Sequence, residues 1–125
     1  MSDAMYPSTT REVAQKRREL SPATEEAFQA FSQNVFAEGA LSTRTKQLIA
    51  VAVAHVTQCP YCIKGHTKAA LCHGASREEL MEAIWVAAEM RAGGACSDAC
   101  HRHRPGLDNA EWDAAVGCAS HLGLT

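Results

Sequence analysis

The chain has 125 residues, of which 46% are hydrophobic, 21% charged and 6% aromatic, and its formal net charge is −2. That length suits one domain with a modest core, and the apolar content excludes intrinsic disorder. The charge balance excludes polyanion binding as a main task. The one basic run, Lys16-Arg17-Arg18, is followed by Glu19 and reads as a solvated helix end, so no nucleic acid partner is expected.

Residues 1–20 read as an N-terminal arm without a buried face, irregular through Pro7 to Thr10 and turning helical near Arg11. Residues 21–125 read as a single helical domain. Ser21-Pro22 is a good helix start, because serine caps and proline is tolerated at the first position. Ala27, Phe28, Phe31, Val35 and Phe36 recur at helical steps and predict one buried face, with Gly39 ending the helix. Ser42 or Thr43 opens the next helix. It is apolar nearly all round from Leu48 to Val56, which predicts a central helix or one buried at a subunit contact. The alternating VAVAHV run also suits a strand, but its alanines and the preceding KQL favour the helix.

Cys59-Pro60 starts a third helix that runs to about His73, with Gly74 as its cap. Ser76 to Glu79 is a capping box that launches a long helix, with Leu80, Ile84, Ala87, Ala88 and Ala95 as its inward stripe. Gly93-Gly94 allows close packing or a break. His101 to Gly106 reads as a polar linker. A second capping box, Asp108 to Glu111, opens a last short helix. The expectation is a compact all-α bundle of five to six helices.

No window of about 18 apolar residues is present, so no membrane span is expected. The first residues lack the apolar segment of a secretory signal, which points to the cytoplasm. There, most of the six cysteines are expected as free thiols.

CPYC, residues 59–62, is the exception. Two cysteines three apart at a helix start face the same side and can join. Free N–H groups at that end favour a thiolate. His66 follows Cys62 by one turn and can take its proton, directly or through water. A histidine that only hydrogen-bonds within the helix pair is the plainer alternative. Gln47, Val51 and His55 climb one face of the preceding helix. His55 breaks an apolar pattern and either shuttles a proton or is a satisfied core histidine. Gln47 cannot be a base but can orient a water or an imidazole. Tyr61 either donates its phenol to a substrate oxygen, covers the site or packs at an interface.

The stretch KQLIAVAVAHVTQCPYCIKGHTKAAL, followed by GASREELMEAIWVAAEMRAGGA, closely resembles the carboxymuconolactone decarboxylase family, and within it the alkylhydroperoxidase D-like branch. The likeness covers roughly residues 25–100. It implies an all-α fold and a homo-oligomer, commonly a trimer or hexamer. It also implies a peroxidatic thiol at Cys62, a resolving thiol at Cys59 and a motif histidine at His66. His55 is shared with many small members of the branch.

The alkylhydroperoxidase D type carries a catalytic glutamate where this chain has Gln47, twelve residues before Cys59. An amide neither bears charge nor accepts a proton comparably, so peroxidase turnover is expected to be weak unless another acid serves. Glu38, Glu82 and Glu89 are the candidates. The expected activity is thiol-dependent reduction of a small organic hydroperoxide, with a dithiol reductant as partner and no cofactor. A thiol–disulfide exchanger or redox sensor is the first alternative.

The second alternative is a metal-binding or structural oligomer. It would use soft ligands among Cys72, His73, Cys96, Cys100, His101, His103, Cys118 and His121, whose spacing matches no closed zinc pattern.

Overall fold

The computed structural model describes the backbone of residues 5–103 and the side chains of residues 5–97. Five helices lie in this range: α1 Arg11–Leu20, α2 Pro22–Phe36, α3 Thr43–Thr57, α4 Pro60–Cys72 and α5 Arg77–His103. The described residues contain no strand, so VAVAHV is helical within α3. The second predicted capping box and the last short helix lie outside the described residues. The chain divides into two units, Met1–Glu89 and Met90–Thr125. No described helix is long and apolar enough to cross a membrane.

Local chemistry sets most of the helix ends. Thr10 caps α1 by accepting from Val13 N at 3.3 Å. Arg17 of α1 grips Glu25 of α2 with two hydrogen bonds of 2.8 and 2.9 Å, and Gln29 donates a third at 3.0 Å. These bonds, Arg17 first and then Gln29, hold the Glu25 carboxyl below its ordinary range, and the same contact holds Arg17 above its own. Ser42 caps α3.

The helix α4 ends in a Schellman motif. Gly74 has φ +86°, its N–H donates to Leu71 O at 3.0 Å, and Ala75 N–H donates to Ala70 O at 3.0 Å. The box at Ser76 and Glu79 forms reciprocally, at 2.8 and 3.1 Å, and Glu79 also pairs with Arg44. Gly93-Gly94 makes no break in α5.

Three expectations change. The second helix stops at Phe36 rather than Gly39, because side chains of α3 take its last carbonyls. Thr43 Oγ1 donates to Phe36 O at 2.9 Å and Lys46 Nζ to Ala37 O at 2.6 Å. The helix α5 continues to His103, through the first part of the expected linker. No helix breaker stands before Pro105, which biases only the residue just ahead of it away from helix.

The third change concerns burial. Phe28 and Phe31 are 59% and 64% exposed and Val35 is exposed too, so the apolar face of α2 is uncovered in the single chain. On α3, Gln47, Val51 and Ala54 are buried while Ile49, Val53 and Val56 are exposed. On α5, Leu80 and Ala87 are buried and Ile84 half-buried, whereas Ala88 and Ala95 are exposed. Periodicity identifies an apolar face, but whether this chain covers it depends on tertiary packing.

The core cluster is Val51, Ala70, Ala75 and Leu80, with Leu48 and Ile84 packed against it. It sits where α3 and α4 run against each other, which is also the pair that builds the site.

Candidate functional site

Only two residues, Gln58 and Cys59, separate α3 from α4. Gln58 takes a left-handed conformation, φ 55° and ψ 42°, and Cys59 N–H returns to Ala54 O at 3.1 Å. The chain reverses there, and Cys59 becomes the N-cap of α4. Its sulfur accepts from Cys62 N–H at 3.2 Å, and Pro60 fills the first helical position. Cys59 and Cys62 are joined in a disulfide, with their Cα atoms 5.3 Å apart.

His66 stands one turn above Cys62. Its Nδ1–H donates to Gln47 Oε1 at 2.8 Å, and its ring stacks on Phe36 with centroids 5.2 Å apart and 28° between planes. Since the amide oxygen only accepts, the neutral imidazole carries its proton on Nδ1 and a lone pair on Nε2. Gln47 is 7% exposed, so its bond to His66 occupies a polar group that burial would otherwise penalise.

Phe36, Gln47, Tyr61, Cys62, Gly65 and His66 line a cleft of about 490 Å³. Cys62 lines it and Cys59 does not. The wall holds no Asp, Glu, Lys or Arg side chain among the described residues. Of the acids considered as substitutes for the missing carboxylate, Glu38 accepts from Thr43 N–H at 3.0 Å and so serves the start of α3. Glu82 and Glu89 are exposed on α5 and do not line the cleft.

Two candidates sit differently from the rest. His55 is half-buried, and its Nδ1 bonds to Val51 O at 2.7 Å, within its own helix. It does not line the cleft. Tyr61 lines it, but the phenol donates to Pro7 O at 2.8 Å and the ring meets Tyr6 edge-on at 6.2 Å. That contact joins residues 54 apart, and no local pattern announces it. The Phe36 stack was likewise invisible in sequence, where Phe36 reads as core.

Among the described residues no three potential ligands gather to hold a metal. Cys72 and Cys96 are free and exposed. The side chains of Cys100, His101 and His103, and all of Cys118 and His121, lie outside the described residues.

Comparison with known proteins gives the chain its relatives. The chain is 56% identical over 99 residues to an uncharacterized protein of the cox locus of Paracoccus denitrificans, covering 79% of this chain and 88% of that one. A crystal structure of a protein from Methanobacterium thermoautotrophicum superposes with a TM-score of 0.65 at 40% identity, covering 69% of this chain and 97% of that one. A carboxymuconolactone decarboxylase family protein from Legionella pneumophila superposes with a TM-score of 0.60 at 38% identity, covering 62% and 69%. The sequence profile of the carboxymuconolactone decarboxylase family matches residues 22–102, and the chain belongs to that family.

Proposed function

We propose that this protein is a thiol-dependent hydroperoxidase of the alkylhydroperoxidase D-like branch, working in the reducing cytoplasm. One observation carries the reading. Cys62, paired with Cys59, shares a cleft with a histidine whose Nδ1–H is held by Gln47, leaving Nε2 as the basic edge.

In the reduced protein, Nε2 of His66 takes the Cys62 proton, directly or through water. The thiolate attacks the terminal oxygen of a hydroperoxide and the O–O bond breaks. The leaving alkoxide takes the proton from His66 and departs as an alcohol, and Cys62 becomes a sulfenic acid. Cys59 attacks that sulfur, the S–S bond forms and water leaves. The two electrons come from the two thiols. A dithiol partner then reduces the disulfide by exchange and is itself oxidised.

The uncharged wall of the cleft suits a small organic hydroperoxide. The exposed faces Phe28, Phe31, Val35 and Ile49, Val53, Val56 support self-association into the trimer or hexamer implied by the branch. The reading is tested by stopped-flow oxidation of the reduced protein with an alkyl hydroperoxide. Oxidation much faster than that of free cysteine supports it, and a rate equal to free cysteine overturns it.

A second reading is favoured by one observation, the amide at Gln47 with no carboxylate on the cleft wall. The protein would then exchange thiols and disulfides, or sense redox state, without consuming peroxide. A reversible disulfide with a defined potential but background peroxide turnover is its expected signature.

A further inference from the structure

A single hydrogen bond at Nδ1, together with the Cβ–Cγ bond, restrains an imidazole but sets its tilt only loosely, because the angular well at a carbonyl oxygen is broad. Something else must set the plane if Nε2 is to face a thiol. Phe36 is placed to do so: its ring lies against that of His66, and it lines the same cleft as Cys62.

We propose that Phe36 is a positioning residue that fixes the plane of His66, and that the first turns of α3 hold it in place. This rests on the reading that His66 primes Cys62. Phe36 is the last residue of α2, where a helix end would ordinarily fray. Here the end is fastened. Thr43 Oγ1 donates to Phe36 O at 2.9 Å, and Lys46 Nζ donates to Ala37 O at 2.6 Å.

Thr43, Lys46 and Gln47 stand three and four residues apart and share one face of α3. One helix face thus holds the end of α2 and the edge of the imidazole together. The other aromatic residues of α2, Phe28 and Phe31, are exposed and line no part of this cleft. The titratable groups beside His66 on the cleft are Cys62 and Tyr61 of α4. The helices α2 and α3 present Ser32, Gln33, Phe36 and Gln47, all uncharged.

The test uses the full chain in a reduced Cys59→Ser background, where serine keeps the cap. Alkylation of Cys62 by iodoacetamide is followed by peptide mass spectrometry across neutral pH. The nitrogen signals of the His66 ring are recorded by NMR. Phe36→Leu, Phe36→Tyr, Thr43→Val and His66→Asn are compared with this background.

Phe36→Leu keeps an apolar side chain without the ring. It is expected to slow alkylation about threefold to tenfold, the scale of one aromatic contact, and to blur the Nδ1–H signature. Phe36→Tyr is expected to restore both, and Thr43→Val to fall between. An unaltered rate in Phe36→Leu, with His66→Asn slow, overturns the role of Phe36. So do equally slow Leu and Tyr variants with an unchanged His66 spectrum. An unaltered rate in His66→Asn overturns the underlying reading of His66 instead.

Discussion

Nδ1 of His66 lies 2.8 Å from Oε1 of Gln47, and the bond runs from imidazole to amide. A carboxylate at the same place would accept the same bond and also stabilise the imidazolium formed when Cys62 is deprotonated. Gln47→Glu is therefore expected to raise the rate of peroxide oxidation of the reduced protein by about tenfold, within the range positioned acid–base groups provide. Gln47→Leu leaves the Nδ1–H without its acceptor. It is expected to slow oxidation and to cost about 1–3 kcal/mol of stability. Stopped-flow oxidation and urea unfolding check the pair.

Cys59 does two jobs, as disulfide partner of Cys62 and as N-cap of α4. Serine can cap and alanine cannot. Both Cys59→Ser and Cys59→Ala should accumulate an unresolved sulfenic acid on Cys62. With both variants reduced, Cys59→Ala is expected to be less stable than Cys59→Ser by about 1 kcal/mol. Thermal melts, with dimedone trapping of the sulfenic acid, separate the two effects.

Gly65 lies within α4 on the cleft wall, and a Cβ built there meets nothing within 4 Å. Alanine costs less than glycine in a helix, so Gly65→Ala is expected to stabilise the fold by about 1 kcal/mol. The added methyl group narrows the cleft. Oxidation by a bulky hydroperoxide should slow while oxidation by hydrogen peroxide holds. Equal slowing of both would place the substrate elsewhere.

The Glu25 carboxyl is held low mainly by its hydrogen bonds from Arg17 and Gln29. Near its ordinary range the unfolded chain binds the proton and the folded chain does not, so stability there rises with pH. The contribution is fully present above the unfolded value of about 4.3 and is lost as pH falls through the folded value. Glu25→Gln is expected to flatten this acid limb. Stability measured by urea unfolding at stepwise lower pH reads the difference.

Gln58 is the described non-glycine residue with positive φ. A β-branched side chain is strained there, so Gln58→Val is expected to destabilise by about 1–2 kcal/mol. Because Gln58 places Cys59 at the mouth of α4, the variant should also slow closure of the disulfide. Gln58→Gly should do neither.

The start of α4 at Cys59-Pro60, the glycine stop after α4 and the Ser76–Glu79 box were all legible, because each is written within a few consecutive residues. The grip of Arg17 on Glu25, the Phe36–His66 stack and the Tyr61–Pro7 bond were not. Each joins different elements, and no period or cap signal carries such a pairing. Gln47 was legible as a group able to orient a water or an imidazole, but that the imidazole is that of His66 needed the packed helices. The face of α2 was read correctly as apolar and wrongly as buried, since covering it requires something beyond this helix.

Tyr61 sits between two sulfurs, and its phenol is anchored to the carbonyl of Pro7. Edits to the leading segment therefore reach the disulfide's neighbourhood without touching α4. Trimming ahead of Thr10 removes that acceptor and the neighbouring Tyr6 ring, freeing the hydroxyl to turn toward the cleft. Purification handles belong elsewhere on this protein, and kinetic comparisons between differently trimmed preparations would be comparing different phenols.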